Sequence, residues 1–327
     1  MKEKIAVIGG SGFVGSSLLQ ILKADNSVLF TNFDKNVNQE NAIYIDVTNR
    51  SSLEVLRGFD TIINLAAEHR DDVRPISLYD EVNVNGAKNI CSAATEYGIK
   101  KIIFTSSVAV YGFAMPNVNE SGPINYFNDY GRTKFEAEKV YSSWLAKNPE
   151  EKSLVIIRPT VIFGKGNRGN VFNLFDQIHS KKFFMIGDGK NIKSMAYVEN
   201  VADFISFSLS FKSGQQLFNY VDKPDMDMNE LVRTVRKKLF NKEDIGLRIP
   251  VLLGYMSGYF FDFLSYVFRL KFPISKIRVQ KFISNTQFNS KIADTGFLPK
   301  KSLKTALNET LDFEFPPKII KNKNTNP

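Results

Sequence analysis

Tyr130-Gly131-Arg132-Thr133-Lys134 sets a phenol and an amine four residues apart, on one face if the segment is helical. That arrangement suits proton abstraction. A free phenol titrates near about 10, and a neighbouring ammonium favours the phenolate, so Tyr130 becomes a usable base near neutrality. Upstream, Phe104-Thr105-Ser106-Ser107 ends an apolar run, and the hydroxyl of Ser107 is placed to bond a reacting oxygen and orient it toward Tyr130. Tyr-x-x-x-Lys alone is common on surface helices. It becomes specific in company with a phosphate-binding turn.

Gly9-Gly10-Ser11-Gly12-Phe13-Val14-Gly15 supplies that turn, at the junction of the strand-like Lys4-Ile5-Ala6-Val7-Ile8 and a helix. Gly9 permits the tight bend, Gly12 lets backbone approach a pyrophosphate, and Gly15 lets helix and strand pack closely. The phosphates then face the positive end of the helix, at the backbone of Phe13 and Val14. Asp34 follows 19 residues after Gly15, where a carboxylate accepts the adenosine ribose hydroxyls and repels a 2′-phosphate. This points to NAD over NADP, although Lys35 pulls the other way. Asp46 and Val47 are expected at the adenine edge. Leu65, Ala66 and Ala67 are small enough for backbone to pass close to the cofactor.

These residues need a scaffold, and the first 160 show one. Short β-branched runs at 5–9, 28–33, 42–45, 61–66, 101–106 and 154–158 alternate with helical stretches at 12–24, 51–58, 79–97 and 130–146. The pattern predicts a Rossmann-type, doubly wound parallel sheet, with a smaller, mostly helical C-terminal substrate lobe. The expected boundaries put 1–160 and about 195–220 in the cofactor domain, and 161–194 and 221–315 in the substrate lobe. Helices are expected at 170–180, 197–210 and 228–239, and a turn at 187–190. Cys91 falls on the apolar stripe of the 79–97 helix and reads as core. The polar tail 316–327 reads as disordered.

The net charge of +9 is unevenly placed: Leu231–Lys281 holds eleven basic and three acidic residues. No nucleic-acid motif accompanies this patch, so nucleic acid is not an expected partner. Inside it, Ile249–Phe268 is twenty residues with one charge, Asp262. A membrane-spanning helix fits by length, but an Asp near its centre costs roughly 2.5–3.5 kcal/mol. A helix lying in the membrane interface fits better. The alternative is a helix buried in the small lobe or in a homodimer interface. One cysteine and no recognisable signal peptide make the cytoplasm the simplest compartment.

Glycine turn, serine and Tyr-x-x-x-Lys together resemble the extended short-chain dehydrogenase/reductase family, the NAD-dependent sugar epimerases and dehydratases, over Gly9 to about Phe315. The resemblance implies a bound NAD, with Pro159 among its contacts, and no metal. Family dehydratases carry an Asp-Glu pair after the catalytic hydroxyl residue; Val108-Ala109 stands there, which argues against dehydration. The blocks 65–73, 157–164, 167–171, 193–198, 272–275 and 278–282 further resemble family members that epimerise an amino sugar at C4 while it is carried on undecaprenyl diphosphate. They imply O-antigen or surface polysaccharide synthesis, with the enzyme held peripherally on the inner face of the plasma membrane. Glu68, Arg70 and Ser107 are the expected sugar contacts, and Arg168, Asn170 and Lys193 the expected diphosphate contacts. His69 carries no expected catalytic role. Alternatives are a soluble UDP-hexosamine 4-epimerase, a 4-keto-sugar reductase and a non-catalytic dinucleotide sensor.

Overall fold

A computed structural model describes residues 2–38, 41–70, 73–268 and 275–316. The tail beyond Pro316 and residues 269–274 of the basic segment lie outside this set. The chain divides into two compact units: Met1–Ile162, Ile192–Asp225 and Asn285–Lys301 form the first, and Phe163–Asn191, Met226–Ser284 and Ser302–Pro327 the second.

The first unit is built on a seven-stranded parallel sheet. Its spatial order is Gly214–Tyr220, Ser153–Pro159, Lys101–Thr105, Thr61–Asn64, Glu3–Ile8, Val28–Asp34 and Ala42–Tyr44. The central strands are apolar on both faces, as a sheet covered on both sides requires. Ala6, Ile8, Ile62, Phe104 and Ile156 point to one layer, with Ile90 and Ala94 of helix Gly86–Glu96 and Tyr141 of helix Asp129–Ala146. Ile5, Val7, Ile63, Ile103 and Val155 point to the other, with Leu18 and Leu22 of helix Phe13–Ala24 and Phe204 of helix Val198–Phe207. This is the doubly wound Rossmann architecture, and Cys91 sits in its core as expected.

Some local expectations change. Residues 51–58 form a tight 3-10 turn, Arg50–Leu56, capped by Asn49. The 79–97 helix opens with a wide π turn at Asp80–Asn85 before the regular helix Gly86–Glu96. Gly214–Tyr220 and Asp222–Asp227 are strands that periodicity did not reveal. The former reads Gly-Gln-Gln-Leu-Phe-Asn-Tyr and lies on the sheet edge, where one side has no strand to bury against. Residues 285–301, expected in the second lobe, belong with the first unit. Thr286 and Phe288 bridge to Lys193 and Val118, and Asn219 Nδ2 donates to Asn289 O at 2.9 Å.

The second unit is mostly helical: Asn170–His179, Met228–Phe240, Val251–Phe268, Lys276–Ile283 and Leu303–Glu314, with the short parallel pair Met185–Ile186 and Arg248–Ile249. Helix Val251–Phe268 turns its small residues inward. A Cβ on Gly254 would lie 2.6 Å from the Ile186 side chain, and one on Gly258 would lie 2.9 Å from the Lys276 backbone. Its large residues face out, with Leu252 70% and Phe263 63% exposed, so it is not a helix buried within the lobe. Among the described residues no helix is long and apolar enough to cross a membrane.

Back in the first unit, one buried ion pair ties sheet to helix. Glu138 on helix Asp129–Ala146 accepts from Arg158 Nε at 2.8 Å and Nη2 at 2.5 Å, and from Ser106 Oγ. Both partners are about 5% exposed or less. Removing one leaves a charge stranded in low dielectric. Glu138→Ala should therefore lower stability by about 3–5 kcal/mol in urea unfolding. The Glu138→Ala/Arg158→Ala double variant should lose clearly less than the two single losses added together.

Candidate active site

The glycine turn sits at the carboxyl ends of the central strands, beside the point where strand order reverses, the usual ligand crevice of such sheets. Gly9 adopts φ +82°, and a Cβ there would lie 2.7 Å from Ala66 N. A Cβ on Gly15 would lie 2.5 Å from Gly10 and Gly9 backbone atoms. Both glycines are thus required by close approach. Gly12 is the N-cap of helix Phe13–Ala24 and provides no side-chain cap, which leaves the first-turn N–H groups to whatever lies in front of them. Asn32 Oδ1, buried behind Gly10, has no hydrogen-bond donor among the described residues. The cradle fits a dinucleotide pyrophosphate.

Asp34 ends the second strand with a half-buried carboxylate that accepts from Ser11 N at 3.0 Å and Asn36 N at 2.8 Å. Those two bonds hold it beside the turn. Lys35, which argued against NAD, is drawn off instead to Asp46 at 2.8 Å. Burial pushes the Asp46 carboxyl up, but its bonds from Lys35 and Thr48 outweigh this and hold it below the usual range. Val47 packs where a Cβ on Gly86 would meet it at 2.8 Å. Ala66 N is pinned by Asn64 Oδ1 at 3.1 Å, and Pro159 is buried at the end of its strand.

The three candidate catalytic residues converge through two contacts. Asn128 caps helix Asp129–Ala146 by accepting from Gly131 N at 2.9 Å, so Tyr130 sits in the first turn, half-buried. A Cβ on Gly131 would lie 2.5 Å from Ala109 O, so the helix start abuts the turn after Ser107. One turn on, Lys134 Nζ donates to Thr105 O at 2.6 Å, two residues before Ser107. The helix that carries Tyr130 and Lys134 therefore brackets Ser107 from both sides. Ser107 itself caps the short Val108–Tyr111 turn, its Oγ accepting from Ala109 N at 3.1 Å.

Lys134 is 2% exposed, with its amine 4.6 Å from the centre of the Phe104 ring. Burial draws the amine down to about 7, against the pull of Glu138, which favours its charged form. The buried polar chain behind it went unread in the sequence. From Ser106, Glu138 and Arg158 it runs on through Tyr111, whose hydroxyl accepts from Arg158 Nη1 at 2.6 Å and donates to Asn219 Oδ1 at 2.9 Å. Glu138, four residues past Lys134 on the same helix face, was the available signal.

The expected substrate residues divide. Glu68 is tied to helix Asp129–Ala146: its N–H donates to Asn83 Oδ1 at 2.9 Å, and Asn83 Nδ2 donates to Thr133 Oγ1 at 3.0 Å. Arg70 is exposed and pairs with Glu68 at 3.3 Å. Lys193, on strand Ile192–Tyr197, is half-buried, and the desolvation of its amine lowers it to about 8. Arg168 and Asn170 belong to the second unit. There Arg168 is taken up by Glu314 at 2.7 Å and lies over the Phe172 ring, while exposed Asn170 opens helix Asn170–His179. Among the described residues no cluster could hold a metal ion.

The model of the NAD dependent epimerase/dehydratase family matches residues 5–220. The chain belongs to that family. It is 46% identical over 324 residues to the N-acetyl-alpha-D-glucosaminyl-diphospho-ditrans,octacis-undecaprenol 4-epimerase of Escherichia coli O157:H7, covering 96% of each chain. It is 27% identical to the UDP-glucose 4-epimerase of Vibrio cholerae, over 95% of each. The UDP-glucose 4-epimerase of Thermus thermophilus, solved in complex with NAD, is 18% identical and superposes with a TM-score of 0.69, over 95% of this chain and 98% of that one. That last likeness speaks for the fold. NAD is the cofactor of this epimerase family.

The burial of Lys134 has a measurable signature in the cofactor-free protein. Below about pH 7 the amine is charged in folded and unfolded chains alike, and the fold carries the full cost of burying it. Between about 7 and the ordinary lysine value of 10.5, the folded chain sheds the proton while the unfolded chain keeps it, so stability rises with pH. Urea midpoints across that window should climb in the wild type, and Lys134→Met should flatten the climb.

Proposed function

We propose that this chain is a sugar 4-epimerase that converts the GlcNAc unit of an undecaprenyl-diphosphate-linked sugar to GalNAc with bound NAD, in O-antigen or surface polysaccharide synthesis. The observation that carries the reading is the end-to-end 46% identity with a relative named for that lipid-linked substrate, in a chain that carries Ser107, Tyr130 and Lys134. NAD, when bound, accepts the C4 hydride and gives it back. The protein's part is proton transfer and orientation. Tyr130 as phenolate takes the 4-hydroxyl proton and later returns it. Ser107 bonds the same oxygen and keeps it in line. Lys134 lowers the phenol's pKa and binds the nicotinamide ribose, and a phenolate beside it favours its own charged form. The 4-keto sugar turns over between the two hydride transfers, so no net oxidation occurs.

Glu68 and Arg70 line the sugar site, and Lys193 offers the diphosphate a cation on the first unit. A substrate on undecaprenyl diphosphate is presented at the inner leaflet, so the enzyme works peripherally at the cytoplasmic face of the plasma membrane. The 27% identity with a UDP-glucose 4-epimerase supports a second reading, the same chemistry on a UDP-linked hexosamine.

Purified enzyme incubated separately with GlcNAc-diphospho-undecaprenol in detergent and with UDP-GlcNAc should form GalNAc on the lipid. Turnover of the nucleotide sugar alone would replace the first reading with the second. Tyr130→Phe should lower turnover by at least about a hundredfold, the scale of a lost general base, while NAD binding followed by calorimetry stays within a few-fold. Near-normal turnover by that variant would remove Tyr130 from the role of base.

A further inference from the structure

Helix Val251–Phe268 is amphipathic in the wrong sense for a helix of a water-soluble protein. Its narrow stripe of small residues is the buried one, with Gly254 against Ile186 and Val279 and Gly258 against the backbone at Ser275–Lys276. Leu252, Met256, Tyr259, Phe260, Phe263 and Val267 are each 50–70% exposed. At 3.6 residues per turn these six fall within about 100° of arc. The helix's one charge lies outside that arc and is used internally, since Asp262 Oδ2 accepts from Lys276 N at 3.0 Å at the start of the next helix. The apolar strip is therefore continuous, and it is larger than the scattered apolar surface of ordinary soluble proteins.

Its flanks are cationic. Exposed Arg248 stands three residues before the helix, Lys276 and Arg278 open the one after it, and the surrounding Leu231–Lys281 holds eleven basic against three acidic residues. The Lys276 amine lies 4.9 Å from the centre of the Tyr259 ring, so a cation borders the strip directly. A second copy of this chain would bring cations against cations at these flanks. An anionic phospholipid surface matches both features at once, with acyl chains for the strip and phosphates for its borders.

We propose that Val251–Phe268 lies in the plane of an anionic bilayer, with the Leu252–Met256–Tyr259–Phe263 side at the acyl boundary and Arg248, Lys276 and Arg278 among the headgroups. The inference rests on the lipid-linked reading for its purpose, because the docked helix keeps the enzyme where the polyprenyl diphosphate is presented. It rests on the exposed strip for its physics.

The test is sedimentation of the full-length protein with vesicles of equimolar phosphatidylglycerol and phosphatidylcholine, and with phosphatidylcholine alone. Binding should favour the anionic vesicles and weaken several-fold as salt screens the flanks. Phe260→Asp/Phe263→Asp should weaken it by at least about tenfold, since two rings at the acyl boundary become charges. Both positions are exposed, so turnover in detergent should hold, which separates lost docking from lost folding. Phe263→Trp should gain a blue-shifted emission on anionic vesicles that brominated acyl chains quench. Absence of vesicle binding by a wild type that epimerises the lipid-linked sugar in detergent overturns the docking and leaves the function standing. Vesicle binding together with turnover of UDP-GlcNAc alone does the reverse. A stable wild-type dimer that Phe260→Asp/Phe263→Asp dissociates, with no vesicle binding, assigns the strip to a second copy and also overturns the proposal.

Discussion

Burying the amine of Lys134 costs hydration energy that only local bonds and dipoles can offset, and the first unit is arranged around that requirement. The Thr105 carbonyl, the Phe104 ring face and the Glu138 carboxylate one turn away supply the offset. Each comes from an element that also positions Ser107 or Tyr130. Thr105 ends the strand that leads into Ser107, and Glu138 rides the helix that carries Tyr130. The bond that makes the buried lysine tolerable thus also sets the serine against the phenol's helix. Gly131, with no Cβ to hold Ala109 away, closes the other side.

Glu138 cannot serve Lys134 alone. A carboxylate with so little exposure needs its own partners, and Arg158 and Ser106 provide them. Arg158 in turn reaches Tyr111, and Tyr111 reaches Asn219 on the edge strand Gly214–Tyr220. The network therefore links three strands and the helix that carries Tyr130. Gly15 and Gly9 play the matching part at the other end of the crevice, where steric room rather than charge decides the geometry.

Most of this frame was legible in the sequence because it follows periodicity and spacing. The six strands of apolar β-branched residues, the glycine turn, Asp34 and the Tyr-x-x-x-Lys pair each have a local signature. What was not legible depends on burial that no local pattern reports. Glu138 and Arg158 look like ordinary helix and strand charges until both prove buried. Gly214–Tyr220 lacks alternation because an edge strand with one neighbour can keep glutamines. The π turn at Asp80–Asn85 has no compositional mark. Arg168 carries the right charge for a diphosphate, yet Glu314, 146 residues away in sequence, takes it up.

The second unit follows a different logic. Tyr130 and Lys134 need only a sheet and a helix, and the Thermus thermophilus UDP-glucose 4-epimerase shares this fold at 18% identity. A fold shared at that distance does not by itself select a substrate. Val251–Phe268 is where this chain departs from the economy of a soluble domain. Two glycines permit close packing on the inner side, and large apolar side chains are left facing out. Exchanging the two sides would bury more apolar area, which would stabilise an isolated protein by roughly 25 cal/mol per Å². In the docking proposed above, the strip meets acyl chains, a medium in which exposed apolar surface carries no such penalty.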